Sequence, residues 1–564
     1  MTRLLRPLLI VISISIIYLQ AFSYPFVYDT SFYLINSPFV RNFLFTDMLR
    51  DIPGFVRFYT PLVEYPDYVV NFVLRPFCYF TFHLNYLAGG FNPGGYRLVN
   101  ITIHALTSLL LYAFLKRLLS RNALVVSDSQ ATGISLCCAM LFAVNPIETE
   151  AVTYTIQRFT SLATCLYVAS IYGHLRAMAS NRKTNCFIWQ GVSVLALVLG
   201  MLTKEIVFTA PIMIVFLNLV ILRKTVVKSL RSSLPQLCCL PIIPLLLVQL
   251  ERGDQTPGVS VDDVINIVNF NQMQPFAYLV NQIRALLSYF RMVLLPFGQS
   301  FRHTYPLHTS LFDLEIVISL AVIGLFLVAA YRLARRRNDG IANLISYFII
   351  WFFVTISVSS SIIPLPEVFA ERRAYLPSVG LISGLVFHLA HIGQQHKLRI
   401  LSLRTLATGC SLLIIFYATL AIIRVRVWSS KVSLWQNVLD RYPNDPIALN
   451  DLGNEYLKRE EYASAITYLK RALKMGPSLT TYQNLGAAFI NNNDFINARH
   501  IYEDALIYFP NDYLLLAGAG AAYFRAGEPK KALRYLDKAI EIDPFSEIAA
   551  RLHRMATEKI QERD

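Results

Sequence analysis

One carboxylate in this chain stands where a base for group transfer would be wanted. Asp29 follows Phe26-Val27-Tyr28, a few residues past the first apolar segment, and opens a long polar and aromatic stretch. An acid in such a place can deprotonate an attacking hydroxyl, a role worth roughly 10²–10⁴-fold in rate. Its plainer reading is solvated surface or a helix cap. Cations gather at turns beside other apolar runs. Arg158 lies just beyond Asn145-Pro146-Ile147-Glu148-Thr149-Glu150, Lys204-Glu205 separates two apolar runs, and Glu371-Arg372-Arg373-Ala374-Tyr375-Leu376-Pro377 follows Pro364 and Pro366. Ionisable groups near membrane depth are costly and need a reason. One reason is that Arg158, Lys204, Arg372 and Arg373 converge on the phosphate or pyrophosphate of a lipid carrier, guanidinium forks binding bidentately and Lys adding a point charge. The structural alternative pairs Lys204 with Glu205 and Glu371 with Arg372, and lets Arg373 snorkel to headgroups. Glu148 and Glu150 suit orienting cations better than chemistry, and Arg75 and His104 complete the supporting set.

The elements that must hold these residues are apolar helices. The 564 residues are 55% hydrophobic and 15% charged, too apolar for a water-soluble protein of this length. From Ser429 onward there are 17 Lys and Arg against 18 Asp and Glu, leaving 34 against 18 before it. Those bases sit in short loops between apolar runs and form no basic face for nucleic acid. Eight cysteines all precede residue 411, with no CxxC or metal spacing, and neither a cofactor nor a metal ligand set is evident. No GxSxG, HExxH or Walker sequence occurs.

Residues 4–22, after Arg3 and Arg6, read as an uncleaved anchor. The stretch 23–95 carries Asp29, Asp47, Asp51, Glu64 and Asp67 and is too long for a plain connection, so it is expected to have its own structure. Spans of about twenty residues are drawn near 96–116, 131–146, 155–176, 186–202, 206–222, 234–250, 313–333, 341–363, 374–393 and 402–423, about 11 with the first. The segment 276–297, interrupted by Gln282, Arg284 and Arg291, reads as an interfacial helix on the outer face. With the N-terminus inside, every inner loop is basic: Lys116/Arg117/Arg121, Arg176/Arg182/Lys183, Arg223/Lys224/Lys228/Arg231, Arg332/Arg335/Arg336/Arg337 and Lys397/Arg399/Arg404. An odd count then puts both the Asp29 loop and the tail outside.

The tail changes character. Gly453, Gly486 and Gly520 recur in register with Tyr456/Phe489/Tyr523, Ala465/Ala498/Ala532, Ala472/Ala505/Ala539 and Pro477/Pro510/Pro544. A period near 34 with those offsets is the tetratricopeptide pattern, small residues letting paired helices approach and proline ending the second. The reading is all-α: a membrane domain over 1–427 and a repeat solenoid over 428–564, with full repeats at 444–477, 478–510 and 511–544 and a partial unit from Trp428 to Pro443. Its concave face suits a protein or peptide.

The ordered set resembles the TMTC-like (transmembrane and tetratricopeptide-repeat) O-mannosyltransferases and their bacterial relatives in the GT-C superfamily. The resemblance runs through Phe26-Val27-Tyr28-Asp29 with Asn36 and Pro38, Arg75-Pro76, and Gly95-Tyr96-Arg97-Leu98-Val99-Asn100 to His104. It continues through Phe142 to Val152 with Arg158, Lys204-Glu205, Tyr289 to Pro296, Ala370 to Gly380, and the repeats. It implies a GT-C-like bundle and an inverting transfer of a sugar, mannose in the named members, from a polyprenyl-phosphate donor to Ser or Thr hydroxyls of a protein. In it Asp29 is base, and Arg158, Lys204, Arg372 and Arg373 hold donor phosphate. The short repeat array points to a bacterial inner membrane, and the loop charges put the Asp29 loop and the repeats on its periplasmic side, or both in the lumen if the membrane is that of the endoplasmic reticulum, in contact with membrane lipids. Two departures stand out: Thr30 follows Asp29 where the family has a second acid, and Asn145 and Glu148 stand where it commonly has His. The rival readings are a non-catalytic membrane repeat scaffold assembling secretion or surface-polymer machinery, and a lipid-linked glycan ligase or polymerase.

Overall fold

The computed structural model describes residues 2–60, 67–121, 127–253, 273–336, 339–395 and 403–562. Among them every regular element is a helix. The chain folds as two compact units, Met1–Phe301 with Tyr305–Ser429, and Arg302–Thr304 with Ser430–Asp564.

The first unit is built around helix Pro93–Ser120. Asn92 caps it, its Oδ1 accepting from the Gly94 N–H at 3.0 Å, and Pro93 supplies a preset first turn. Its buried face runs through Arg97, Asn100, His104, Ser108 and Leu111, three or four residues apart, and meets Asp128–Val144 and Arg158–Met178. Packing is tight enough to dictate residue size. A Cβ on Gly380 would lie 2.7 Å from the Phe348 carbonyl oxygen, so helices Gly340–Ile356 and Tyr375–Gln395 meet only because that position is bare.

Among the described residues, six helices are long and apolar enough to cross a membrane: Leu5–Ser23, Pro93–Ser120, Lys183–Met201, Leu314–Arg335, Glu371–Ile392 and Ala407–Ser429. Two bent pairs bring the number to eight at most, short of the expected eleven or so. The difference has physical causes. Glu205–Ile221 and Gly340–Ile356 are apolar but short. Arg158–Met178 has the length, but most of its surface is buried against protein, so it needs no lipid-compatible exterior and keeps its hydroxyl residues. The expected span 131–146 stops at Asn145 because Pro146 has no N–H to continue the ladder; Asn145 Oδ1 instead takes the Ile147 N–H at 3.2 Å, and the chain resumes as Pro146–Thr153, bent by 49°. That bend delivers Glu148 and Glu150 to the interior. Helix Pro275–Leu294 packs against Leu314–Arg335 and Tyr375–Gln395 and is not among the candidate spans.

The stretch 23–95 does have its own structure. Short helices from Ser31–Ile35 to Pro76–Gly89 enclose stacked aromatic rings, among them Phe39 on Phe72 at 4.6 Å and Phe55 on Phe72 at 5.7 Å. Its acids are mostly spent locally: Asp51 caps Ile52–Tyr59 through the Gly54 N–H, and Asp47 lies 3.9 Å from Arg50. Glu64 lies outside the described residues.

In the second unit, helix Lys431–Arg441 leads into paired helices Pro446–Lys458 and Tyr462–Leu473, Leu479–Asn491 and Phe495–Tyr508, then Tyr513–Arg525 and Pro529–Ile542, closed by Glu547–Gln561. At the turn inside each pair, one residue takes a positive φ: Glu460 (63°), Asn493 (59°) and Gly527 (84°). The repeat glycines sit where helices touch, a Cβ on Gly453 reaching within 2.6 Å of Leu469 Cγ.

Candidate active site

Asp29 owes its place to a backbone clamp. Beyond the tight turn Leu19–Ser23, the Arg97 guanidinium donates to the Tyr24 carbonyl and, at 2.5 Å, to the Pro25 carbonyl, while its Nε reaches the Thr153 carbonyl at 3.4 Å. Phe26 and Val27 are buried, and Tyr28 takes a positive φ of 52°, a strained conformation for an aromatic residue that redirects the chain at the acid. The Asp29 carbonyl then accepts from the Tyr33 N–H at 3.0 Å, starting the turn Ser31–Ile35.

The Asp29 carboxylate keeps one oxygen, Oδ1, shielded from solvent and without a hydrogen-bond partner. Burial pushes its pKa up to about 7; Arg372 pulls the other way, and Glu367 and Glu150 add to the rise. That is the value a general base working near neutrality needs.

Arg372 is the hub beside it. Its Nη1 donates to Glu150 Oε1 at 2.7 Å, its backbone N–H to Glu150 Oε2 at 3.1 Å, and its Nη2 to Glu367 Oε2 at 2.5 Å. Glu150 is wholly buried, so the bend at Pro146 and the turn Glu371–Ala374 are tied by one ion pair. Arg373 is part-buried and donates to neutral acceptors, closely to the Glu367 carbonyl at 2.7 Å and at 3.4 Å to the Tyr278 hydroxyl and the Val368 carbonyl.

Lys204 lies in the same electrostatic field, within range of Arg75, Arg372 and Arg373. Its ammonium donates to Thr160 Oγ1 at 2.8 Å, and among the described residues it makes no carboxylate ion pair within 4 Å. Burial lowers its pKa to about 7 against the pull of Glu205, and the neighbouring cations lower it further. Glu205 is taken by Arg75 instead, at 3.3 Å, with Arg75 also bonded to Asn71 and lying over Phe159. A phosphate arriving beside Lys204 and Arg373 would meet positive charge without a carboxylate already bonded to it.

The other expected residues are placed differently. Arg158 is fully buried, donating to Asn100 Oδ1 (2.7 Å), the Thr81 carbonyl (3.1 Å) and the Tyr96 carbonyl (2.9 Å), with its guanidinium over the Phe82 ring at 4.5 Å. It ties three segments together and has no free fork for a phosphate, a correction to the expectation. Glu371 accepts from the Ser300 N–H at 2.6 Å and lies 3.7 Å from Arg424, so it does not pair with Arg372. His104 accepts from the Tyr375 hydroxyl on Nδ1 at 2.6 Å and donates from Nε2 to the Ala143 carbonyl at 3.0 Å, holding two helices to its own. Glu148 is buried beside Tyr18, Tyr375 and Ser378. Two contributors were not foreseen: Arg97, which lay unremarked inside a quoted motif, and Glu367, whose only signal is an acid directly after Pro364-Leu365-Pro366.

Comparison with known proteins agrees with the motif reading. A tetratricopeptide repeat family matches residues 432–479 and 484–547. Protein O-mannosyl-transferase TMTC3 of Mus musculus is 24% identical over 453 residues, 74% of this chain and 46% of its own. Protein O-mannosyl-transferase F38B6.6 of Caenorhabditis elegans is 27% identical over 399 residues, 68% of this chain and 51% of its own. Protein O-mannosyl-transferase TMTC4 of Homo sapiens is 26% identical over 430 residues, 70% of this chain and 57% of its own. The chain is thus TMTC-like, and it spans about half the length of the curated relatives it matches.

Proposed function

We infer that this chain is an integral-membrane glycosyltransferase of the GT-C type. It moves a sugar, mannose by the names of its relatives, from a polyprenyl-phosphate donor to Ser or Thr hydroxyls of a protein bound by the repeats. The Asp29 end faces away from the cytoplasm, across a bacterial inner membrane or that of the endoplasmic reticulum. The observation that carries this reading is Asp29 itself: a carboxylate with a shielded, unpartnered oxygen, pushed up to about 7 by burial against the opposing pull of Arg372.

In the proposed step, Asp29 takes the proton of the acceptor hydroxyl as its oxygen attacks the anomeric carbon from the face opposite the phosphate. The carbon–oxygen bond to phosphate breaks, its electron pair leaves on the lipid phosphate, and the anomeric configuration inverts. Lys204 and Arg373 offset the charge that develops on the leaving phosphate. Arg372 is committed to Glu150 and Glu367 and acts by setting the field around Asp29.

The test is whether proteins gain sugar because this chain is present. Intact masses of secreted and membrane proteins from cells with and without the gene should differ by hexose increments on Ser/Thr-rich segments. Identical masses would remove the glycosyltransferase reading in favour of a scaffold, and a difference confined to free or lipid-linked glycans would favour the ligase.

A further inference from the structure

At the end of the first unit away from Asp29, cations collect around a cavity that the proposed reaction does not use. Lys116 lies nineteen residues along helix Pro93–Ser120 from Arg97, about 28 Å at about 1.5 Å per residue, close to the thickness of a bilayer core. There a cavity of about 500 Å³ is lined by Arg6, Tyr112, Lys116, Arg117, Asp128 and Tyr172. Arg6 lies beside the Tyr112 hydroxyl, and Arg121 stands beside Arg117, in range of Lys224. Asp128 is the one acid among the described lining residues, and none of Arg6, Lys116 and Arg117 forms an ion pair among the described residues.

A second cavity shares two of the same helices. It measures about 600 Å³ and is mainly apolar, lined by Leu9, Gly133, Ile134, Cys137, Val386 and Ile414, with Ser129, Gln130 and Ser411 also on its wall. Leu9 is one turn beyond Arg6 on the same face of helix Thr2–Tyr18, and Gly133 lies just over one turn beyond Asp128. A basic cavity a helical turn from an apolar groove matches the two ends of a lipid, not a free anion.

We propose that the two cavities together bind an anionic phospholipid of the leaflet opposite the Asp29 site, its phosphate among Arg6, Lys116 and Arg117 and an acyl chain along the Gly133 groove. The phosphate chemistry alone would admit inorganic phosphate; the adjoining groove is what selects the lipid. Membrane-facing cations that serve only to orient the helices would instead meet headgroups of any charge at the open surface.

The test is native mass spectrometry of the full chain, delipidated in detergent and titrated with phosphatidylglycerol, phosphatidylcholine or inorganic phosphate. Phosphatidylglycerol should bind at least tenfold more tightly than phosphatidylcholine. The double variant Lys116→Gln/Arg117→Gln should weaken it by about fivefold per cation removed. The pair Arg182→Gln/Lys183→Gln, at the same end but outside the cavity, should not. Gly133→Leu keeps every charge, and no heavy atom lies within 4 Å of its added Cβ, so the fold tolerates it while the groove is filled; it too should weaken phosphatidylglycerol. Equal binding of the two lipids, equal effects of the two double variants, or inorganic phosphate displacing the lipid while Gly133→Leu changes nothing would each overturn the proposal.

Discussion

Glu150 holds Arg372 twice, by the guanidinium at 2.7 Å and by the backbone N–H at 3.1 Å. The carboxylate is fully buried, so the grip is both a positioning device and a liability. Arg372→Gln should lower the unfolding free energy by about 3–5 kcal/mol, because a buried carboxylate loses its charge partner. Adding Glu150→Gln should return most of that stability, read from thermal unfolding in detergent, without returning sugar transfer.

The pH dependence follows from two groups titrating in opposite senses. Asp29 acts as a base only when ionised, so its contribution rises as pH climbs through about 7. Lys204 is charged only below about 7 in the empty site, so its hold on phosphate falls over the same range. The profile of kcat/KM should therefore be a bell centred near 7, its acid limb set by Asp29 and its alkaline limb by Lys204. Lys204→Arg, which stays charged, should flatten the alkaline limb and leave the acid limb in place.

Lys204 and Arg158 should separate cleanly. Lys204→Gln should raise the KM for the lipid-linked donor by about 10- to 100-fold, the cost of one charge-assisted hydrogen bond, with little change in stability. Arg158→Gln abandons buried carbonyls and an amide oxygen, so it should destabilise the fold by about 3 kcal/mol or more. Donor KM measured on the folded fraction should change little.

Arg97 touches no reactant but sets the path of the chain before Asp29 through the Tyr24 and Pro25 carbonyls. Arg97→Lys cannot span both. A loss of about 10²-fold in kcat with donor KM nearly unchanged is expected, the usual effect of a base displaced by about 1 Å.

These residues also show what could be read from the sequence. The repeat helices were legible because each unit repeats the same contact, Gly453 against Leu469 and Gly520 against Leu536, so the constraint is written several times over. Asp29 and the Glu371-to-Pro377 stretch were legible because charge beside an apolar run demands a cause. Arg158 misled for the same reason: a sequence shows the guanidinium but not the neutral oxygens of Thr81, Tyr96 and Asn100 that occupy it. The count of about 11 spans is not matched where a helix is sheathed in protein, as Arg158–Met178 is, since burial there relaxes the rule that apolar composition follows membrane exposure. The positive φ at Tyr28 left no trace at all, because an aromatic residue ordinarily avoids it.

In the proposed step Asp29 takes the acceptor proton. The most direct measurement is initial-rate sugar transfer from a polyprenyl-phosphate donor to a Ser/Thr peptide by purified protein carrying Asp29→Asn, with donor binding followed in parallel. A fall in kcat of about 10²–10⁴-fold with donor affinity retained is expected. Transfer at the wild-type rate by that variant would contradict it.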